Sequence, residues 1–170
     1  MPKKKFMSLF ILCCSVPLLL AQLVLSFGWF SRGVSSEGEW QQQEVFLLPA
    51  TNEQAHWRIA VLPEANCEVM CQNALFTVQQ LYIGLGRKQD QVRPVLVSAN
   101  ALPQAYEGFS QQAGLPITEA GLLNHILLVD KQGLVLLRYP MPGSEQEMVT
   151  TAKAMRHDLL KLLNYDRTRV

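Results

Sequence analysis

Two thiols and one imidazole are the side chains of this sequence whose types and spacing could do chemistry. Cys67 and Cys71 stand four positions apart. On a helix, that spacing puts both sulfurs on one face, within reach of each other or of a shared ligand. The mouth of a helix carries partial positive charge, which favours thiolate and lowers the pKa of a cysteine placed there. Outside a reducing cytoplasm such a pair can be a structural disulfide, a redox couple or a soft-metal site. The third group, His125, opens the apolar run Ile126-Leu127-Leu128-Val129. Thiolates favour Cu(I) and an added imidazole lets Cu(II) be held as well, so the three together suit copper.

The elements that must position these residues are legible as alternating strand-like and helix-like stretches. Trp57–Leu62 is rich in β-formers and stops at Pro63. From Cys67 to about Leu85, apolar residues recur at helical spacing and end among Gly84 and Gly86. A second strand is expected over 94–99, a short helix over 101–113, and further strands over 124–130 and 134–139. The last two are joined by a tight turn at Lys131-Gln132-Gly133. Ser144-Glu145-Gln146-Glu147 is a capping-box signature for a final helix to about Asn164. The order β-α-β-α-β-β-α implies parallel crossovers plus an antiparallel hairpin. That is the layout of a thioredoxin-like α/β fold, a mixed four-stranded sheet with flanking helices on both faces. Another small α/β sandwich is the alternative. In the thioredoxin-like layout the start of the third strand lies beside the mouth of the first helix, which would bring His125 near Cys67 and Cys71.

The ends and the charge balance set the surroundings. Fifteen Lys+Arg stand against fourteen Asp+Glu over 170 residues, a net charge of +1. That near-balance lacks the basic footprint of a nucleic-acid binder. Lys3, Lys4 and Lys5 precede an uncharged run from Phe6 to Ser31, closed by Arg32. A bilayer needs ~20 apolar residues as a helix, so the run is long enough to span, and it is longer than the ~7–15 apolar residues of a cleaved signal. Residues 1–32 therefore read as cytoplasmic lysines and an uncleaved single-pass anchor, with Trp29 and Phe30 at its interface. The positive-inside rule leaves the remainder outside the cytoplasm, in the periplasm of a Gram-negative cell. Residues 33–56 read as a flexible tether with a packing arm at 45–49, and 57–170 as the globular domain. Everything after Arg32 carries eleven basic and fourteen acidic residues, a net of −3. Cys13 and Cys14 lie inside the apolar run as small hydrophobes. Met70, between the thiols, reads as packing, and His56 and His157 as surface residues.

Cys67-x-x-x-Cys71 after a strand, with His125-Ile-Leu-Leu-Val-Asp130-Lys-Gln-Gly133 before a hairpin, resembles the Sco/SenC family. Those are membrane-anchored thioredoxin-fold copper proteins that help assemble the binuclear copper site of cytochrome c oxidase. The resemblance runs from about Trp57 to Asn164 and is closest to the smaller single-span Sco-like group. It implies that Cys67, Cys71 and His125 are copper ligands, and that Asp130 and Gly133 form the family's turn. It also implies that the partner is the oxidase subunit carrying the binuclear copper site, or its assembly factors. Where the family usually has Pro after each cysteine, this chain has Glu68 and Gln72. General thiol oxidoreductases of this fold carry a cis-Pro just ahead of the third strand, whereas this chain reads Gly121-Leu122-Leu123-Asn124-His125 there. The reading is thus a metallochaperone rather than an enzyme. A thiol–disulfide reductase of the oxidase's copper-site cysteines and a non-catalytic thioredoxin-like scaffold are the alternatives. The topology is open to test. A reporter fused after Val170 is expected to be active outside the cytoplasm on a chain that keeps residues 1–32, and a mature N-terminus near residue 27 would contradict the anchor.

Overall fold

The computed structural model describes residues 3–26, 36–52, 55–64, 67–98, 106, 108–113 and 120–166. Contacts divide the chain into two units, residues 1–35 and 36–170. The first contains helix α1, Lys3–Ser26, with Pro17 inside it. The helix takes in Lys3–Lys5 and the apolar, uncharged residues that follow them. Among the described residues no helix is long and apolar enough to cross a membrane, and the uncharged run from Phe6 to Ser31 extends beyond them.

The second unit is built on a mixed sheet with helices. In chain order it comprises β1 (Glu39–Trp40), β2 (Trp57–Leu62), α2 (Val69–Gly84), a 3-10 turn (Gly86–Gln91), β3 (Val92–Val97), β4 (Ser110–Gln112), a 3-10 turn (Ala120–Leu122), β5 (His125–Asp130), β6 (Val135–Pro140) and α3 (Glu145–Asp166). The strands lie in the order β1-β6-β5-β2-β3-β4. β2 runs parallel to β3 and antiparallel to β5, and β5 and β6 form the expected hairpin. The expectation of a four-stranded sheet is corrected to six. The two additional strands are edge strands of two and three residues, too short and too polar to show an apolar alternation. One falls in the segment expected to be a tether. The other, at Ser110–Gln112, replaces the end of the helix expected over 101–113, of which residues 101–105 and 107 lie outside the described residues.

Every residue of β2 is buried, because this central strand is covered on both faces. Trp57, Ile59 and Val61 pack with Leu75, Val78, Ile126, Leu159 and Leu163 under α2 and α3. Ala60 and Leu62 point the other way, into a second core with Leu47, Leu48, Val95, Leu122, Leu127 and Val129. Among the described residues both helices of this unit cover one face. The other face is closed by residues 45–48 and by the turn around Leu122. Leu47 and Leu48 of the 45–48 segment are fully buried. Its backbone docks through Leu47 N–H onto the Gly133 carbonyl and Val135 N–H onto the Val45 carbonyl. Gly133 has φ +95°, and a side chain there would strike the Leu48 carbonyl, so this turn requires glycine. Asp130 completes the turn by accepting from the N–H groups of Gln132 and Leu134.

A variant of the expected capping box forms at the start of α3, with the return bond reaching one residue ahead of the N-cap. Ser144 Oγ accepts from Glu147 N–H at 3.3 Å, and the Glu147 carboxylate reaches back to Gly143 N–H at 2.8 Å. Further along α3, the buried Asp158 carboxylate accepts from the Tyr139 hydroxyl (2.8 Å) and from the backbone N–H groups of Glu37 and Gly38. This single acid ties β6 and the segment before β1 to the helix. Burial, reinforced by the Asp158 charge, holds the Tyr139 hydroxyl far above its ordinary pKa of 10.0.

Asp158→Ala leaves those donors without their acceptor and is expected to cost about 2–4 kcal/mol of stability. The urea midpoint of the detergent-solubilised chain measures it, and a change under about 0.5 kcal/mol, the level of an ordinary surface substitution, would contradict the assignment. The sign of the tyrosine effect is also fixed. Its folded pKa lies above its unfolded one, so stability is intact below about pH 10 and falls as pH rises past it. Tyr139→Phe is expected to flatten that alkaline fall.

Candidate thiol site

The site grows out of the end of β2. Leu62 is the last residue of that strand, Pro63 ends the ladder, and the chain reaches Cys67 two residues ahead of the first helical residue, Val69. Glu68 is the N-cap in extended conformation, with no side-chain capping bond. Its carbonyl accepts the first helical hydrogen bond, from Gln72 N–H at 2.9 Å. Cys71 therefore sits in the first turn of α2 and Cys67 just outside it, with 5.0 Å between their Cα atoms. The two sulfurs are joined in a disulfide.

The two sulfurs differ in surroundings. Cys71 is 3% exposed and belongs to the core under α2, whereas Cys67 is half-buried at its margin. Val69 and Met70 in the same turn are exposed. Asn73 Nδ2 donates to the Pro142 carbonyl at 3.3 Å, tying the first turn of α2 to the segment that leaves β6. On reduction, a helix N-terminus stabilises negative charge on sulfur in the adjacent turn. Cys67 is the more exposed of the two residues.

His125 is placed at the same end of the sheet but on the opposite pleat face. It pairs in register with Leu62 of β2 and Pro140 of β6. Residues directly opposite on neighbouring strands share a face, and successive residues alternate. Leu62, Leu127 and Val129 belong to the second core, while Ile126 and Leu128 belong to the core shared with Cys71. The imidazole is half-buried, and its Nδ1 lies 2.7 Å from the Leu123 carbonyl, which makes Nδ1 the protonated donor in the neutral ring. Among the described residues no three His, Cys, Asp or Glu side chains are grouped so that they could hold a metal ion.

Asn124 is the residue that sequence reasoning passed over. It occupies the position just ahead of β5, where thiol oxidoreductases of this fold place their proline, and has φ +58°. Asn is among the few non-glycine residues that tolerate that conformation. Its N–H donates to the Leu62 carbonyl (2.9 Å), its Oδ1 accepts from Glu64 N–H (3.1 Å), and its Nδ2 donates to the Glu64 carboxylate (3.0 Å). Its carbonyl accepts from Met141 N–H at 3.3 Å. One residue thus joins the end of β2, the start of β5 and the exit of β6. The sequence signal was the asparagine itself, at the turn into an apolar strand.

The protein-family model described as "Transmembrane-like, thioredoxin-like, C-terminal domain" matches residues 57–166. None of the curated proteins matches the chain. Among solved structures the chain is similar to Bradyrhizobium japonicum ScoI with copper bound, at 12% identity and TM-score 0.39 over 65% of this chain and 96% of that one. It is similar to a SCO1/SenC family lipoprotein from Bacillus anthracis, at 11% identity and TM-score 0.41 over 69% and 94%. A third is BsSco, described as a Sco-family cytochrome c oxidase assembly protein with a disulfide switch, at 12% identity and TM-score 0.39 over 71% and 94%.

The unequal burial of the two sulfurs gives a direct expectation. The untreated chain should resist thiol alkylation at both positions, and after reduction Cys67 should label at least about tenfold faster than Cys71, since reactivity follows access and thiolate character. Peptide mass mapping reads the order; equal rates, or Cys71 first, would contradict the burial described.

Proposed function

The chain belongs to the transmembrane-like, thioredoxin-like C-terminal-domain family, and from that premise we propose that it is a membrane-anchored assembly protein for cytochrome c oxidase. In this reading Cys67 and Cys71 alternate between the disulfide and a dithiol that takes up copper as cargo. The observation that carries the proposal is the bonded pair at the mouth of α2. Its two sulfurs are already within bonding distance of each other, so once reduced they offer two adjacent soft donors to one ion. The disulfide offers neither thiolate, so in this reading the redox state of the pair decides whether copper can be held.

His125 is proposed as the third ligand. Its support is the β2–β5 register, which puts it beside Leu62, five residues before Cys67, together with the motif likeness to Sco/SenC proteins. To join the sulfurs, its ring must leave the Leu123 carbonyl and turn around the end of the sheet. Copper then supplies a single chemical property, affinity for soft sulfur and borderline nitrogen, and the chain supplies the rest. α2 presents the thiols, β5 presents the imidazole, and the buried Cys71 fixes the inner donor. The uncharged run Phe6–Ser31 is proposed as the anchor, with the globular unit outside the cytoplasm and the binuclear copper site of the oxidase, or its assembly factors, as the partner.

A second reading rests on the same disulfide. A half-exposed Cys67 backed by a buried Cys71 is also the arrangement of an attacking and a resolving thiol, which would serve reduction of the oxidase's copper-site cysteines. Substitutions separate the two readings. With Cys13 and Cys14 replaced by serine, the reduced full chain is expected to bind one Cu(I), Cys67→Ser or Cys71→Ser to lose tight binding, and His125→Ala to weaken Cu(II) more than Cu(I). In cells, His125→Ala is expected to impair oxidase assembly nearly as much as loss of either cysteine. Full oxidase activity with His125→Ala alone would overturn the copper reading in favour of thiol exchange.

A further inference from the structure

We propose that Asn124 and Glu64 form a clamp that sets how readily the Cys67–Cys71 disulfide is reduced; both are positioning residues that touch neither sulfur's reaction partner. The inference deepens the reading above, since it rests on the pair cycling between disulfide and dithiol. Glu64 lies three residues ahead of Cys67, on the connection that leaves β2. Two hydrogen bonds hold it to the Asn124 side chain, one through its backbone N–H (3.1 Å) and one through its carboxylate (3.0 Å). Asn124 is itself held from both sides, by the Leu62 carbonyl and by Met141 N–H. The connection to Cys67 therefore starts from a fixed point on the sheet, while Cys71 is fixed by its own burial against the core under α2.

The redox consequence follows from comparing the two states. In the disulfide, Cys67 is held next to Cys71 by the covalent bond whether or not the clamp exists. In the dithiol, the short chain from Cys67 to Cys71, with its Glu68–Gln72 hydrogen bond, and the fixed start at Glu64 together limit how far Cys67 can move from Cys71. Holding two groups close raises the effective concentration with which one meets the other and so favours the bonded state. Releasing Glu64 widens the range open to Cys67 more in the dithiol than in the disulfide, where the covalent bond still limits it, which makes reduction easier. The left-handed backbone at Asn124 contributes as well, because it aims the side chain amide and the N–H at neighbouring segments from one residue.

The test is the equilibrium of the detergent-solubilised full chain with glutathione. In that exchange the Cys67–Cys71 bond breaks, two glutathione thiols become one glutathione disulfide, and their two electrons and two protons pass to the cysteine sulfurs. Asn124→Ala removes both clamp bonds and the preference for positive φ. Asn124→Gly keeps the backbone free to adopt that conformation and removes only the clamp, so it preserves folding if alanine does not. Both are expected to shift the equilibrium constant towards the dithiol by roughly threefold to tenfold, the size that one or two exposed hydrogen bonds support. That shift is about 14–30 mV in midpoint potential. Glu64→Gln keeps an acceptor for Asn124 Nδ2 and its own N–H donor, and is expected to stay within about twofold of the wild type.

Asparagine variants that match the wild type within twofold while the wild-type pair itself reduces normally would overturn the clamp and leave the redox reading standing. A Glu64→Gln shift as large as that of Asn124→Gly would also overturn it, because the lost charge rather than the lost tie would then be responsible. A wild-type disulfide that no glutathione ratio reduces would overturn the clamp together with the redox reading.

Discussion

Burial of β2 on both faces is the constraint on which the other features depend. A strand with no exposed residue needs apolar partners above and below and hydrogen-bonded neighbours on both edges. Trp57–Leu62 obtains these from α2 and α3 on one side, from the 45–48 arm and the Leu122 turn on the other, and from β3 and β5 alongside. Once β2 is fixed in this way, the residues leaving its end have a defined starting point. Cys67 follows five residues after Leu62, and the helix that carries Cys71 packs directly on the strand. The thiols are thus placed by the most buried part of the molecule, although one of them is accessible.

The same burial separates the candidate ligands. Alternation along β5 sends Ile126 and Leu128 towards the helices and His125, Leu127 and Val129 towards the second core. His125 reaches the correct end of the sheet on the opposite pleat face. Asn124, one residue earlier and in a left-handed conformation, occupies the junction between the two. Reduction of the disulfide and rotation of one imidazole are therefore the two changes that a three-ligand copper site requires of this chain.

Much of the fold was legible because its signals are continuous. Ile126–Val129 and Leu134–Tyr139 are apolar runs separated by a turn that needs glycine, and Ser144 through Glu147 announce α3. The edge strands were not legible: Glu39–Trp40 and Ser110–Gln112 are held by backbone pairing to β6 and β3, and their side chains carry no pattern. At the site, the identity and proximity of Cys67 and Cys71 could be read from spacing plus the following helix. The face taken by His125 could not, because it depends on strand register, and a shift of one residue reverses every side chain. Asn124 and Glu64 escaped for a related reason. They are sixty residues apart, and their bond exists only because β2 and β5 are antiparallel neighbours.

The central claim is that the redox state of Cys67 and Cys71 decides copper uptake. The most direct measurement is Cu(I) stoichiometry of the full chain with Cys13 and Cys14 replaced by serine, prepared in its disulfide form and, separately, after reduction and removal of the reductant. The account predicts one tightly bound Cu(I) per reduced chain and none per oxidised chain, with uptake restored on reducing the oxidised sample. Equal copper binding by the two forms, or none by the reduced one, would contradict it.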